Sequence, residues 1–280
     1  MDGPPQNLLP DVEASTNRRT WRPPRLWRAL LRLSRVLVAG FCRVRISGDI
    51  PDKLRQGPLL LAGNHIGTFD PFVLIAACAR TGLAPRIMAS RGLFTTPVFG
   101  TLMRRSGHIR VDRGAHTVTE ALHFATEALE EGSTIAAYPE GRITMDPLMW
   151  PERGKTGVAR LALLTGAPVV IVAQWGAHEV TTWDQPGTMV ARLISALWRR
   201  PIARVHFGAT VDLSGLTMEG PGHVREAADR ITAATFAELR ALRADEPGLP
   251  RYLDPVRPLS TARSFRAAER ETTYDAHSGR

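Results

Sequence analysis

Residues 59–71, LLLAGNHIGTFDP, join an apolar run to a polar loop and to the expected start of a helix. A short apolar run that ends at glycine is typical of a buried strand, and α/β proteins bind ligands in the loops that follow such strands. In this loop His65 can act as a general base near neutral pH, and Asp70 can hold the imidazole in one tautomer. Gly67 is expected to let the loop fold back so that the two side chains meet.

The same residues also have a purely structural interpretation. Asp70 before Pro71 is a favourable helix start, with the aspartate as the cap and the proline in the first helical position. His65 would then be an ordinary loop histidine. Taken alone, the residues of this loop leave both interpretations open.

Short apolar runs alternate with helical stretches along most of the chain. This alternation predicts an α/β fold, with a central mixed sheet flanked by helices and preceded by an N-terminal helix. The predicted strands are Val44–Ser47, Leu59–Ala62, Arg86–Ala89, His108–Asp112, Thr134–Tyr138, Val169–Ala173 and Ala203–Phe207. The predicted helices of the domain are Pro71–Ala79, Thr117–Glu130, Thr156–Thr165 and His223–Arg243.

Residues 24–42 are predicted to form a basic amphipathic helix at a membrane interface. At about 100° per residue, four arginines share an arc of about 80°. They are Arg25, Arg28, Arg32 and Arg35. Apolar residues occupy the opposite side: Leu26, Trp27, Leu30, Leu31, Leu33, Leu37 and Val38. An arginine-rich face opposite Leu and Trp is typical of a helix in the lipid headgroup layer. A helix that packs on its own core with a solvated basic face gives the same pattern.

The composition restricts the class of protein and its partners. The chain has 280 residues, 44% of them hydrophobic, and a formal net charge of +9, which suggests an anionic partner. The two cysteines, Cys42 and Cys78, are too few for a disulfide framework or a metal site. Because no run approaches the roughly 20 apolar residues of a spanning helix, we expect a peripheral protein at the cytoplasmic face of the cell membrane.

The chain divides into four predicted segments. Residues 1–23 are predicted to be a disordered basic leader and residues 24–42 the interfacial helix. Residues 43–243 are predicted to form the catalytic domain, and residues 244–280 a flexible tail, because they are polar and lack a sustained period.

A second polar stretch, Gly107 to Arg113, surrounds a predicted strand. Alternation places Ile109 and Val111 on one face of that strand, and Arg113 lies just past its end. An arginine at this position can grip a phosphate through two parallel hydrogen bonds. A solvated strand end is the plainer alternative.

A third polar stretch, Tyr138-Pro-Glu-Gly-Arg142, follows the predicted strand that begins at Thr134. Glu140 can accept a hydrogen bond from a substrate hydroxyl or a neighbouring arginine, although Pro-Glu-Gly is also a common turn sequence. Further on, Lys155 precedes a helix and can help to bind an anion. The spacing of a nucleotide-binding loop is missing there, which disfavours a nucleotide site.

Taken in order, these motifs resemble those of the glycerolipid acyltransferase family, notably bacterial 1-acylglycerol-3-phosphate acyltransferases. The matching residues are Asn64, His65 and Asp70, then Gly107 and Arg113, then Pro139, Glu140 and Gly141, and last Pro168 to Val172. Lys155 also resembles the lysine that follows the third motif. The third motif departs from the family pattern, because Arg142 stands one position earlier than the family's arginine. The resemblance spans roughly residues 44–215.

The resemblance implies a mechanism and a set of site residues. His65 would take a proton from a lysophospholipid hydroxyl as it attacks an acyl thioester, and Asp70 would orient His65. The acceptor would be 1-acylglycerol-3-phosphate and the product phosphatidic acid. Acyl-CoA or acyl-carrier protein would be the donor, with no further cofactor and no metal. The expected substrate-binding residues are Asn64, Arg113, Glu140, Gly141, Arg142 and Lys155.

Three other functions compete with this one. A different lysolipid or polar-lipid acceptor stays within the same class, and the shifted Arg142 leaves it open. A non-catalytic peripheral membrane protein would use the basic helix and keep Asp70 as a helix cap. A nucleic-acid binder is disfavoured, because the arginines face Leu and Trp on one amphipathic helix and no recognition motif is present.

Overall fold

A computed structural model describes residues 21–112, 115–146, 148–181 and 186–245. This part of the chain contains seven strands: β1 Arg43–Gly48, β2 Leu59–Gly63, β3 Arg86–Ser90, β4 Ile109–Val111, β5 Thr134–Ala137, β6 Val169–Trp175 and β7 Ile202–Thr210. The α-helices are α1 Arg25–Phe41, α2 Asp52–Arg55, α3 Asp70–Arg80, α4 Arg91–Thr95, α5 Pro97–Arg105, α6 Ala115–Glu130, α7 Gly157–Thr165, α8 Pro186–Arg199 and α9 His223–Leu242. A 3-10 turn, Ala177–Glu179, follows β6.

The seven strands form one mixed sheet in the order β1-β7-β6-β2-β5-β3-β4. Strand β7 runs antiparallel to β6, and the other neighbouring pairs are parallel. In the centre, β2 lies between β5 and β6, and Ala62 pairs with Ala137 and Ile171. The carboxyl ends of β2, β5 and β6 therefore meet at one edge of the sheet.

The predicted α/β architecture is confirmed, with each predicted strand present and its ends shifted by at most a few residues. The predicted helices are also present. The pattern missed the short helices α2, α4 and α5, and it missed α8. Helices α2 and α4, with four and five residues, are too short to show a helical period, whereas α5 and α8 have amphipathic sequences that the prediction overlooked.

Two apolar clusters fill the space on the two faces of the sheet. One contains residues of α1 and α3 together with β1 and β7, including Val38, Val73 and Phe207. The other contains residues of α6, α7 and α9, including Leu129, Leu161 and Ile231. The central strands β2 and β6 are buried along their whole length, because helices cover both faces.

The structure divides the apolar face that was predicted for α1. Trp27, Leu31 and Val38 are buried against the domain, so these three side chains do not face a membrane. Helix α1 packs mainly on α3. The neighbouring side chains Leu33, Val36 and Leu37 remain exposed. The interpretation that α1 packs on the core of its own domain therefore holds for the side with Trp27, Leu31 and Val38. The side with Leu33, Val36 and Leu37 is exposed and can contact another partner.

The edges of the folded domain lie slightly outside the predicted ones. The Trp21 amide donates to the carbonyl of Glu131 over 2.9 Å, so this part of the predicted leader is attached to the domain. Asp245, assigned to the tail, forms an ion pair with Arg204. Residues 1–20 and 246–280, the remainder of the two terminal segments, lie outside the described residues.

Candidate active site

The polar loops after β2, β5 and β6 come together because their strands are neighbours in the sheet. Two hydrogen bonds join the loop after β2 to the others. The backbone amide of Thr144 donates to the His65 carbonyl over 2.7 Å, and the backbone amide of Gln174 donates to Oδ1 of Asn64 over 2.7 Å. Gly63 ends β2 so close to Tyr138 that a Cβ there would lie 3.2 Å from the tyrosine ring. The site is thus assembled from segments up to 110 positions apart in sequence.

His65 and Asp70 form the predicted dyad. Nδ1 of His65 lies 2.9 Å from Oδ2 of Asp70. The aspartate is fully buried, whereas the histidine side chain keeps 17% of its surface exposed. Because an ionised carboxylate can only accept a hydrogen bond, Nδ1 carries the proton and donates it to Asp70 in this bond. Nε2 is then left with a free lone pair for a substrate proton. This is the arrangement that general-base catalysis requires.

The geometry disagrees with the helix-cap interpretation of Asp70. Its carboxylate turns back into the loop, where Oδ2 also accepts the amides of Ile66 at 2.5 Å and Gly67 at 2.8 Å. No side chain caps α3, and Phe69 stands at the cap position. Gly67 contributes this amide, and it is not among the glycines with positive φ. The expectation that its backbone freedom closes the loop is therefore not supported.

The aromatic ring of Tyr138 packs against one face of the His65 imidazole. Its ring stacks on that of His65, with centroids 4.2 Å apart and an angle of 15° between the planes. The tyrosine hydroxyl accepts a hydrogen bond from the side-chain Nε2 of Gln174 over 3.3 Å. Burial raises the pKa of Tyr138 well above its ordinary value, so the hydroxyl stays protonated. Sequence reasoning missed this contact, although an aromatic residue directly before Pro-Glu-Gly was visible.

Glu140 is buried and binds the backbone of two loops. Oε1 accepts the His65 amide and Oε2 accepts the Glu152 amide, each over 2.9 Å. Burial raises the pKa of Glu140 to about 8, and the two backbone donors lower it in part. In this position Glu140 holds the loop after β2 in place, and its expected contact with the acceptor stays a prediction.

Asn64 has a similar positioning role. It is fully buried, and its amide forms reciprocal bonds with the backbone of Gln174: Nδ2 donates to the carbonyl over 3.0 Å and Oδ1 accepts the amide over 2.7 Å. This pair ties the start of the catalytic loop to β6. The side chain of Asn64 is thus used in positioning the loop, and its expected contact with substrate stays a prediction.

Arg142 is paired inside the protein. Nε and Nη2 donate to the two carboxylate oxygens of Glu152 over 2.9 and 2.8 Å. Glu152 is almost wholly buried, while the Arg142 side chain is about one third exposed. The Glu152 bond raises the pKa of Arg142. The shifted arginine of the third motif thus holds its own loop, with one side open to the surface.

Of the three remaining expected binding residues, the structure describes Gly141 and Lys155. Gly141 is exposed with φ +69°, and a Cβ there would lie 3.1–3.2 Å from the end of the Lys155 side chain. The amide of Lys155 donates to the Pro139 carbonyl over 2.8 Å, so its position next to the site is fixed. Arg113 lies outside the described residues.

Other titratable groups take no part in this arrangement. Burial raises the pKa of the Cys42 and Cys78 thiols to about 12, so neither is a thiolate nucleophile. Burial and the charge of Arg86 lower the pKa of His108 to about 4, and its Nδ1 accepts the Ile87 amide. Among the described residues no group of three metal-ligating side chains occurs. Nor does any described helix have the length and hydropathy that crossing a membrane requires.

The fold and this loop define an α/β domain with a paired histidine and aspartate at the carboxyl edge of its sheet. Residues 43–175 match the family model described as Acyltransferase. The chain is 26% identical over 182 residues to the human lysophospholipid acyltransferase LPCAT4, which covers 62% of this chain and 32% of the relative. It is 29% identical over 118 residues to an N-acylphosphatidylethanolamine synthase of Arabidopsis thaliana, covering 40% of each chain. These matches therefore span less than half the length of the relatives.

A solved structure supports the same fold. The 1-acyl-sn-glycerophosphate (LPA) acyltransferase PlsC of Thermotoga maritima matches with a TM-score of 0.54 and 18% identity, over 79% of this chain and 83% of that chain. Residues 43–175 are therefore similar in sequence to known acyltransferases, and the described domain is similar in fold to PlsC.

Proposed function

We propose that this protein transfers a fatty acyl group from a thioester donor to the free hydroxyl of 1-acylglycerol-3-phosphate, giving phosphatidic acid. The observation that carries the proposal is the pair of His65 and Asp70, with Nδ1 held by a buried carboxylate and Nε2 left as the base. The names of the two relatives describe acylation of lysophospholipids and of phosphatidylethanolamine. Both agree with a hydroxyl or amine acceptor on a lipid.

The chemical step follows from that geometry. Nε2 of His65 takes the proton of the acceptor hydroxyl as its oxygen attacks the thioester carbonyl, and a tetrahedral intermediate forms. Collapse of the intermediate breaks the carbon–sulfur bond. The imidazolium then returns the proton to the leaving thiol. Asp70 stabilises the imidazolium through Nδ1 and does not itself need to be protonated.

A direct transfer suits this site better than an acyl-enzyme. The two thiols of the chain are buried and have pKa values near 12. A covalent intermediate needs a nucleophile within reach of its base. The proposed donor is acyl-CoA or acyl-carrier protein, acting as co-substrate rather than as a bound cofactor.

Cationic side chains at the rim are proposed to hold the acceptor phosphate. Lys155 lies next to Gly141 on the exposed side of the third motif, and Arg142 presents the open side of its guanidinium there. Arg113 is proposed as a third phosphate ligand from the sequence pattern. A guanidinium can bind a phosphate oxygen through a donor that its carboxylate partner leaves free.

A second acceptor class follows from the Arg142 pair. Because two of its nitrogen atoms already bind Glu152, Arg142 offers fewer donors to a phosphate monoester than an unpaired arginine would. A lysolipid with a larger polar headgroup places less negative charge at this point. Acylation of such a lysolipid is therefore the alternative function.

The acceptor is a lipid, so the enzyme must work at a membrane. We propose that α1 lies on the anionic cytoplasmic surface of the cell membrane, using its arginine face and the exposed Leu33, Val36 and Leu37. The buried Trp27, Leu31 and Val38 anchor the same helix to the domain. The protein would thus be attached peripherally.

An acceptor panel tests the proposed reaction. Purified protein is supplied with labelled acyl-CoA or, in a parallel series, with labelled acyl-carrier protein. Each series offers lysophosphatidic acid, lysophosphatidylcholine, lysophosphatidylethanolamine and a monoacylglycerol in matched mixed micelles. We expect labelled phosphatidic acid to form with the highest kcat/KM. Preference for a larger headgroup would select the alternative acceptor, and no product from any lysolipid would overturn both.

A further inference from the structure

Helix α8 exposes a stripe of large apolar side chains. Val190, Ile194, Leu197 and Trp198 are all exposed, and Trp198 keeps 85% of its surface. At about 100° per residue these four positions share an arc of about 100°. Soluble proteins seldom leave a contiguous apolar stripe of this kind uncovered without a function.

The stripe is separate from the side of α8 that packs on the domain. Ala196 is fully buried and Leu193 packs against the same cluster, so these residues face the core. On the same helical wheel, Arg192 and Arg199 lie about 100–120° beyond Trp198, on a third sector that Ala191 and Ser195 separate from the apolar stripe. The helix therefore has a core sector, an exposed apolar sector and a basic sector, whereas an ordinary surface helix has only an apolar and a polar side.

Helix α8 lies beside α1. At its end, Nη2 of Arg200 donates to the carbonyl of Ala39 in α1 over 2.7 Å. Helix α1 exposes its own apolar side chains at Leu33, Val36 and Leu37. An open groove of about 610 Å³ next to them is lined by Arg32, Arg35 and Arg80 together with Val36 and Ala39. Apolar and cationic groups therefore occur together on both helices.

Helix α8 is also bonded to the segment that contacts the catalytic loop. Nη2 of Arg199 donates to the carbonyl of Glu179 in the 3-10 turn over 2.9 Å. Just after that turn, the hydroxyls of Thr181 and Thr68 lie 2.7 Å apart, and Thr68 stands between His65 and Asp70 in sequence. Two hydrogen bonds therefore link α8, by way of the segment that includes the 3-10 turn, to the loop that carries His65.

We propose that α8 inserts its apolar stripe into the headgroup layer of an anionic phospholipid bilayer, as a second attachment site beside α1. Trp198 lies at the edge of the apolar stripe and is followed in sequence by the exposed Arg199 and Arg200, and tryptophan is favoured at membrane interfaces. The exposed arginines Arg32, Arg35, Arg199 and Arg200 complement anionic headgroups. This inference goes beyond the proposed reaction and does not depend on which lipid is acylated.

Charge also argues against a second copy of this chain as the occupant. A symmetric contact through α8 would bring the arginines of α1 and α8 close to those of the other copy. Like charges in such an interface oppose association. An anionic bilayer satisfies the apolar stripe and the arginines together.

Vesicle binding in the absence of acyl donor tests the proposal. The full chain is incubated with vesicles of phosphatidylcholine containing phosphatidylglycerol, and bound protein is separated by sedimentation. The test variant carries Ile194→Ser and Trp198→Ser. Its matched control carries Phe124→Ser and Leu164→Ser, which are similarly exposed apolar residues on the opposite side of the sheet, on α6 and α7. Circular dichroism and thermal unfolding verify that both variants are folded.

We expect the α8 variant to lose at least about tenfold in partition coefficient and the control to stay within about twofold of wild type, since an interfacial helix binds in proportion to its buried apolar area. Equal partition of wild type and the α8 variant would overturn the proposal, as would an equal loss in the control. A dimer that the α8 substitutions abolish, with partition unchanged, would assign the stripe to a second copy instead. Because no turnover is measured, these outcomes are independent of the proposed acyl transfer.

Discussion

The imidazole of His65 lies flat on the ring of Tyr138, with 4.2 Å between ring centroids and 15° between ring planes. Together with the Nδ1 bond to Asp70, this contact leaves the histidine ring little freedom to turn. A base that is held in one orientation needs no reorganisation before it accepts a proton.

Removing the aromatic support should slow the reaction. We expect Tyr138→Phe to keep kcat within about threefold, because the stack remains and only a long hydrogen bond of 3.3 Å to Gln174 is lost. Tyr138→Leu should lower kcat about tenfold or more with little change in acceptor KM, since the ring of His65 loses its flat contact. Equal rates for the Phe and Leu variants would show that stacking does not position the base.

Asp70→Asn should lower kcat by about 10³-fold or more. The amide preserves the shape but no longer favours the tautomer with a proton on Nδ1, and it cannot stabilise the imidazolium. Asp52→Asn, at a fully exposed aspartate on α2, is the matched control and should leave kcat unchanged. If Asp70→Asn kept more than about one tenth of the activity, the orienting role of the carboxylate would be wrong.

Glu140 should make the stability of the domain depend on pH. Its pKa is about 8 in the folded protein because of burial, against an ordinary value of 4.5. The unfolded chain therefore loses this proton first. The stabilising contribution is complete below about pH 4.5 and is lost as the pH rises to about 8.

We expect the free energy of unfolding of wild type to fall by a few kcal/mol relative to that of Glu140→Gln between about pH 5 and pH 8.5. The glutamine variant lacks the ionisation, so its own curve should be flatter. Urea denaturation across that range measures both, and Glu131→Gln at an exposed position serves as control. Parallel curves for wild type and Glu140→Gln would contradict the raised pKa.

Arg142 should affect acceptor binding if its open side contacts the phosphate. Because Arg142→Ala alone leaves the buried Glu152 without its partner, we pair it with Glu152→Gln. The double variant should raise the KM for lysophosphatidic acid about fivefold or more, against Glu152→Gln alone. Arg153→Ala removes a similar bidentate bond, to Asp229, on α9 and should leave KM unchanged. An unchanged KM in the double variant would remove Arg142 from the phosphate site.

The sequence was sufficient for the strands, because they depend on local patterns, whereas the pairing of His65 with Asp70 was implied only by the resemblance that the ordered motifs carry. Strand and helix periods are read over a few residues, and His65 and Asp70 lie only five positions apart. The contacts that hold the dyad depend on strand order instead. Asn64 meets Gln174 because β2 lies beside β6, and Glu140 meets the His65 amide because β2 lies beside β5.

The roles of α1 and α8 could not be predicted for a different reason. An apolar side chain is equally suited to a core and to a membrane, so the pattern of α1 did not show that Trp27 is buried while Leu37, on the same predicted apolar side, is 54% exposed. In α8 the large apolar residues lie on the exposed side, and the small Ala196 faces the core. Hydrophobic periodicity shows which face of a helix is apolar, but it does not show whether the protein core or a membrane covers that face.

The most direct test of the account is the initial rate of labelled phosphatidic acid formation by His65→Ala compared with wild type. His123→Ala, at an exposed histidine on α6, is the matched control. With saturating lysophosphatidic acid and acyl-CoA, we expect the His65→Ala rate to fall by at least about 10³-fold and the control to equal wild type, since the only proposed base has been removed. Turnover by folded His65→Ala at a rate close to that of wild type would contradict the central claim that His65 activates the acceptor hydroxyl.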